Sequence, residues 1–264
     1  MSSRNQRCDC GSGKRYKHCC GAILSEQAAD ANSHPFSYAD QGLFPPQLRG
    51  RGMERFCRDL PSGRGLPLAW SPPGLAVTKN FLSTDQCDEL VNFLSKQPTA
   101  DALVDLVTQK SGEIDQRVDR QRITKAIELG EKQETVIKYV VMAFRDVAVP
   151  YFEASLHTFE TPSALKYLSG GRFDIHADSE QWSDSEQRWV RTQNRDFSLL
   201  LYLNDEYTGG AISFPNFNIE IEPQRGMLLT FPSDHRFVHE AQPVMSGERY
   251  VIVSWGLNKA TPKI

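Results

Sequence analysis

The chain has 264 residues, of which 39% are hydrophobic and 10% aromatic, and its formal net charge is −3. This allows one large core, or one medium domain with a small appendage, and it supplies no global basic field for bulk nucleic-acid binding. No apolar run approaches the roughly 20 residues of a membrane helix, and the start "MSSRNQRCDC" lacks the apolar core of a secretion signal, so a cytoplasmic protein with reduced thiols is expected.

The cysteines come first along the chain. Cys8, Cys10, Cys19 and Cys20 crowd into a basic segment with Arg4, Arg7, Lys14, Arg15 and Lys17, while Cys57 and Cys87 stand alone. Clustered thiols in a reducing compartment read as metal ligands rather than disulfides. Residues 23–73 follow, with "FPPQLRGRG", "LPSGRGLP" and "WSPPG". That density of Pro and Gly reads as linker or irregular packing.

The texture changes at Leu75. "GLAVTKNF" reads as strand, and "LSTDQCDELVNFLSK" as a helix opened by the S-x-x-Q capping box of Ser83 and Gln86. Cys87, Leu90, Val91 and Leu94 share one helical face, which makes Cys87 a buried structural cysteine. A second helix is written in "ETVIKYVVMAFRDVAV", with Val136, Ile137, Val140, Val141 and Phe144 on one side and Pro150 helping to end it. From residue 164 onward the candidates are short strands: "ALKYL", "RFDIHAD", "FSLLLYLN", "AISFP", "NIEIEP", "GMLLTF" and "RYVIVSW", separated by turn signals. Helices followed by many short strands predict an α+β fold, a sandwich or jelly roll backed by the helices.

Within those strands, "GGRFDIHADSEQW" puts His176 and Asp178 two residues apart in a stretch read as strand, hence on one face. His235 and His239 are both available as a third donor. Two imidazoles and a carboxylate make the facial set that holds Fe(II) and leaves positions open in non-heme oxygenases; a surface His–Asp pair is the plainer alternative. His34 and His157 have no comparable context. Between Asp178 and Phe197 lies "SEQWSDSEQRWVRTQNRD", read as a long loop leaving the site. Its Trp182, Trp189, Arg188 and Arg191 are residue types enriched at binding hot spots. The loop is expected to close over a peptide-like substrate; the alternative is a mobile surface loop whose tryptophans pack on the barrel.

The stretch from Tyr167 to Trp255 resembles the prolyl 4-hydroxylase family of 2-oxoglutarate- and Fe(II)-dependent dioxygenases. The matching features are Y-x(4)-R-F before H-x-D, "LLLYLND" with "GG" soon after, P-x-x-G before a hydrophobic strand, and H-E-x-x-P-V-x-x-G-x-R-Y leading to "SW". "GLAVTKNFLSTDQCDELVNFL" looks like the family's first strand and helix, so the resemblance covers about residues 70–258. It implies a double-stranded β-helix core. It implies iron ligation by His176, Asp178 and His239, with His235 off the pattern. It places Arg249 on the distal carboxylate of 2-oxoglutarate, which suits a planar, permanently charged fork. Tyr167 and Tyr202 become phenols beside the cosubstrate; ordinary core aromatics are the alternative. The implied cofactors are Fe(II) and 2-oxoglutarate, with ascorbate as an optional reductant. The implied reaction couples conversion of 2-oxoglutarate to succinate and CO2 with hydroxylation of an unactivated C–H bond. Related halogenases replace the carboxylate ligand with a small residue, so Asp178 favours hydroxylation. The expected substrate is a prolyl residue in a cytoplasmic protein. The alternatives are another residue or a small molecule under the same chemistry, and a non-catalytic adaptor.

"RNQRCDCGSGKRYKHCCG" resembles the SEC-C motif, the small zinc module at the carboxyl terminus of the SecA translocation ATPase. The resemblance implies one tetrahedral Zn(II) held by Cys8, Cys10, Cys19 and Cys20. With so little apolar material, zinc would supply the folding energy. The basic face of Lys14, Arg15 and Lys17 is expected to contact a ribosome or chaperone, or else to be merely solvated. The expected organisation is a zinc module at 1–22, a Pro/Gly-rich linker at 23–69 and a dioxygenase domain at 70–258, with no membrane or nucleic-acid partner.

Overall fold

A computed structural model describes residues 74–107, 114–117 and 121–264. The four clustered cysteines and the expected linker at 23–69 lie outside the described residues.

Strand β1 (Ala76–Thr78) leads into helix α1 (Thr84–Leu94). Ser83 Oγ accepts the Gln86 N–H at 3.3 Å, and Gln86 Oε1 accepts the Ser83 N–H at 2.9 Å. This reciprocal pair satisfies two of the orphan donors at the helix start, as the sequence predicts. Cys87, Leu90 and Leu94 form the buried stripe of α1. Strands β2 (Thr99–Asp101), β3 (Val104–Val107), β4 (Ile114–Arg117), β5 (Arg122–Ile123) and β6 (Lys125–Ile127) follow.

Helix α2 (Gln133–Ala143) widens into a π-helical turn at Phe144–Ala148 and closes with α3 (Val149–Tyr151). The helix ends at Tyr151, one residue past Pro150, in keeping with the expectation that this residue helps to end it. Val141, placed on the inner face by periodicity, is 38% exposed, and Val136, Val140, Ala143 and Phe144 form the buried stripe instead.

The remaining chain is nearly all strand. It runs through β7 (Leu156–Phe159), β8 (Ser163–Tyr167), β9 (Arg172–His176), β10 (Glu180–Ser183), β11 (Arg188–Arg191) and β12 (Phe197–Tyr202). Then come β13 (Tyr207–Gly209), β14 (Ile212–Phe214), β15 (Ile219–Ile221), β16 (Leu228–Pro232), β17 (His239–Ala241), β18 (Val244–Gly247) and β19 (Arg249–Asn258).

Two sheets carry the architecture. The larger orders its strands β1-β16-β12-β19-β8-β6-β2, with β7 also on β19; the smaller runs β15-β14-β17-β9-β5. Side chains alternate across the large sheet. Leu199 and Leu201 of β12, and Tyr250 and Ile252 of β19, pack against α1 and α2. Their neighbours Tyr202, Val251 and Val253 face the smaller sheet and meet Ile212 and Phe214 there. Burial on both faces is why "FSLLLY" and "RYVIVSW" read as nearly unbroken apolar runs rather than alternating ones. The result is the expected double-stranded β-helix backed by helices. No described helix is long and apolar enough to cross a membrane.

Candidate active site

The space between the two sheets opens into a cavity of about 1080 Å³, lined by Tyr167, His176, Asp178, Tyr202, His239 and Arg249 among others. Strand pairing brings the histidines together: His239 opens β17 directly opposite His176, the last residue of β9. A register shift in β17 between His239 and Ala241 interrupts the ladder beside the site, a place where bulges re-aim side chains.

Asp178 is not on the strand. β9 stops at His176, and Asp178 lies in the bend that follows, so shared strand face is not what joins the two residues. The bend is held from outside: the Ser179 N–H donates to Ser233 O at 2.9 Å, and Arg195 Nη1 donates to Asp178 O at 3.2 Å. Asp178 Oδ1 then lies 3.6 Å from His176 Nε2, and Oδ2 lies 3.7 Å from His239 Nε2.

Those separations are too long for hydrogen bonds. The other ring nitrogens explain why no proton fills the gaps. His176 Nδ1 is 2.8 Å from Asp174 O, and His239 Nδ1 is 3.0 Å from Phe237 O. A carbonyl only accepts, so each Nδ1 carries the hydrogen, and in the neutral ring Nε2 presents a lone pair. Burial, chiefly, drives the His239 imidazole down to about 4, keeping it neutral. Burial alone would raise the Asp178 carboxyl, but the neighbouring His239, His176 and Arg195 outweigh it and hold it well below the usual range. Lone pairs aimed at an anion repel unless a cation lies between them. Neutral imidazoles fixed through Nδ1, together with an ionised carboxylate, are the states that bind a divalent metal. The three donor atoms lie within 4.8 Å of one another.

His235 is elsewhere. It follows β16 in a short 3-10 turn, its Nδ1 meets Glu180 Oε2 at 2.5 Å, and its ring stacks on Trp189. His157 is exposed on β7. His34 lies outside the described residues.

Arg249 opens β19 opposite Tyr167 and is 1% exposed. Its guanidinium carbon sits 3.9 Å from the centre of the Tyr167 ring, a cation–π arrangement that fixes the plane of the fork. One Nη1–H is taken by Gly210 O. Gly210 has φ +68°, and a Cβ there would stand 3.3 Å from that nitrogen, so glycine permits the approach. Among the described residues Arg249 Nε has no partner, and no carboxylate pairs with the group. A buried, uncompensated guanidinium in a cavity is costly unless an anion meets it. Burial raises the Tyr202 phenol above its ordinary value, with Arg249 opposing, and pushes Tyr207 up to about 12. Both therefore stay protonated and able to donate. Tyr207 Oη is buried without a partner among the described residues. Sequence reasoning missed Tyr207, which has no motif signal beyond lying just before the paired glycines.

The segment after Asp178 is not a long loop. It folds into the β10–β11 hairpin, with Glu180 opposite Arg191 and Trp182 opposite Trp189. Trp182 and Trp189 line the cavity, their rings edge to face at 6.0 Å. Arg188 and Arg191 do not line it. Arg188 is exposed and bonds Glu186, and Arg191 bonds Asp196 at 3.0 Å. The hairpin is docked through Glu180–His235 and the Trp189–His235 stack, which makes it a wall of the cavity. Arg195 was also missed. It forks onto Glu160 at 2.5 and 2.8 Å and lies 3.8 Å over Trp255, all three residues lining the cavity.

Residues 162–256 match the family described as 2OG-Fe(II) oxygenase superfamily, and residues 4–22 match the SEC-C motif. Among curated proteins, the chain is 26% identical over 251 residues to prolyl 4-hydroxylase subunit alpha-2 of Gallus gallus, covering 85% of this chain and 45% of that one. It is 23% identical over 194 residues to prolyl 4-hydroxylase subunit alpha-1 of Rattus norvegicus, covering 70% and 35%. The chain thus spans less than half the length of these relatives. Among solved structures, a prolyl hydroxylase from Trichoplax adhaerens, in complex with a hypoxia inducible factor oxygen degradation domain peptide fragment, aligns with a TM-score of 0.50 at 20% identity, covering 81% of this chain and 92% of that one. That likeness confirms the jelly-roll fold. Residues 162–256 are thus similar in sequence to the 2OG-Fe(II) oxygenase superfamily, and the described residues share the fold of that prolyl hydroxylase.

Proposed function

We propose that this protein is a 2-oxoglutarate- and Fe(II)-dependent oxygenase that hydroxylates a prolyl residue of a peptide or protein. The observation that carries the reading is one cavity holding both a two-histidine, one-carboxylate donor set and a buried guanidinium that no carboxylate among the described residues pairs with. In this reading His176, Asp178 and His239 hold the iron. When bound, Fe(II) with 2-oxoglutarate and O2 supplies the oxidation, giving succinate, CO2 and a hydroxylated C–H bond.

The chain's own residues account for the rest. The carbonyls of Asp174 and Phe237 hold the two Nδ1–H groups and so present Nε2 as the donor on each ring. Arg249, its plane set by Tyr167, takes the distal carboxylate through a charge-assisted bond. Tyr202 and Tyr207, kept protonated by burial, offer further donors near it. Trp182, Trp189 and Trp255 wall the cavity and limit water at the reacting carbon. The peptide bound to the Trichoplax adhaerens neighbour supports a peptide or protein substrate. The SEC-C match supports one zinc on Cys8, Cys10, Cys19 and Cys20, with the basic face of that module docking to a ribosome or chaperone in the cytoplasm.

The deciding experiment adds Fe(II), 2-oxoglutarate and ascorbate to the protein in a cell lysate. It measures succinate release and searches the proteome for prolyl residues that gain one oxygen. Succinate formed with oxygen gained on a prolyl residue is the expected result. No succinate above a His239→Ala control would overturn the enzymatic reading.

A further inference from the structure

Two buried hydroxyls stand behind the carboxylate of the donor set. Ser198 is 0% exposed and Ser233 1%. Ser198 lies in β12 between the apolar Phe197 and Leu199, where a hydroxyl without a partner would cost about 1–3 kcal/mol. Its partner is Asp178: Ser198 Oγ donates to Oδ2 at 2.5 Å. Ser233 Oγ lies 2.8 Å from Ser198 Oγ.

The proton count sets the direction of this chain. A hydroxyl has one hydrogen, and an ionised carboxylate can only accept. Ser198 therefore spends its hydrogen on Asp178, and the Ser198–Ser233 bond must be donated by Ser233. A donor that itself receives a bond is strengthened. Ser233 is fixed by its backbone as well: its N–H donates to Asp196 O at 3.0 Å, and its carbonyl accepts the Ser179 N–H at 2.9 Å. The same residue thus pins the bend that carries Asp178 and feeds the hydroxyl chain behind it.

We propose that Ser198 and Ser233 are positioning residues, a hydroxyl relay that commits Asp178 Oδ2 to the protein and leaves Oδ1 for the metal. The carboxylate then binds through one oxygen and cannot close over a second coordination position. This rests on the reading of His176, Asp178 and His239 as metal ligands. It predicts that metal affinity depends on a serine that never touches the metal.

The test titrates full-length protein with Mn(II), following free Mn(II) by electron paramagnetic resonance. Mn(II) stands in for Fe(II) in air, and its preference for oxygen and nitrogen donors keeps it off the cysteines. Ser198→Ala should weaken binding about 10–100-fold, the usual cost of losing such a partner. Ser198→Thr keeps the hydroxyl and should restore it. Ser233→Ala should cost less, and should cost nothing further when added to Ser198→Ala, because the relay is already broken. Binding by Ser198→Ala within about twofold of wild type, or additive losses in the double variant, overturns the proposal. If Ser198→Ala fails to fold by circular dichroism, Ser233→Ala alone decides, and unchanged affinity sinks the relay. His239→Ala separates the two levels. If it still binds Mn(II), the metal reading itself is wrong; if it does not, while Ser198→Ala binds normally, only the relay is wrong.

Discussion

His176 and His239 face each other across β9 and β17, their ring centroids 4.3 Å apart and their planes tilted by 54°. The donor set is thus a cross-strand pair completed by a residue from the bend that follows. Phe173 stacks on the His176 ring at 3.6 Å, and Phe231 meets the His239 ring edge-on at 4.8 Å. Packed aromatics on both imidazoles restrict their rotation, so the donors are held ready before a metal arrives.

Removing the anionic donor should be decisive. Asp178→Ala is expected to abolish tight Fe(II) binding and turnover. His235→Ala, which removes a group engaged with Glu180 and Trp189, should leave metal affinity near wild type. Anaerobic Fe(II) titration checks both, and the reverse pattern would show that the third ligand is misassigned.

Arg249→Ala should weaken 2-oxoglutarate binding by about two to nearly four decades, because losing one partner of a buried charge pair costs about 3–5 kcal/mol. Arg249→Lys keeps the charge but loses the fork and the stack on Tyr167, so it should fall between. The readout is the apparent affinity for 2-oxoglutarate; an unchanged value in Arg249→Ala removes this residue from the cosubstrate site.

Variants in the hairpin should separate substrate recognition from use of the cosubstrate. Trp182→Ala should lower coupled hydroxylation at sub-saturating peptide and leave uncoupled decarboxylation of 2-oxoglutarate intact. Trp189→Ala also breaks the stack on His235, so it should lower the melting temperature as well. Equal kinetics of Trp182→Ala and wild type on an identified substrate would exclude that tryptophan from recognition.

Deleting residues 1–22 should remove one zinc per chain by elemental analysis and spare the decarboxylation activity. Full-length protein purified without zinc would count against the cysteine assignment.

Cys87 should make stability fall in alkali. Burial, chiefly, pushes its thiol up to about 11 from the ordinary 9.0. Between those values the unfolded chain releases a proton that the folded chain keeps, so stability declines as pH rises from 9 towards 11. The loss at pH 10 is on the order of 1 kcal/mol. Urea unfolding at pH 8 and pH 10 should show this loss in wild type, reduced in Cys87→Ala.

What was legible in the sequence is what depends on near neighbours. The Ser83–Gln86 box, the buried face of Cys87, Leu90 and Leu94, and the two-sided burial of β12 and β19 follow from capping chemistry and periodicity over a few residues. His176, Asp178, His239 and Arg249 were singled out through motif order and a family resemblance, and the structure brings them to one cavity. The β10–β11 hairpin was not: its turn lacks the usual Asn-Gly or Asp-Gly signal and places Gln187 at φ 51° instead. Ser198 was equally silent, a single hydroxyl in an apolar run. Its role depends on Asp178 being brought beside β12 by the bend after β9, and on Ser233 arriving at the end of β16. Such meetings are set by strand register between residues far apart in the chain, and no local pattern encodes them. The sequence by itself determined which chemistry-bearing side chains exist and where the first two helices and most of the later strands lie. Only the packing of the two sheets decided which of those side chains share a cavity, because a side chain's neighbours across a sheet are chosen by pairing rather than by sequence distance.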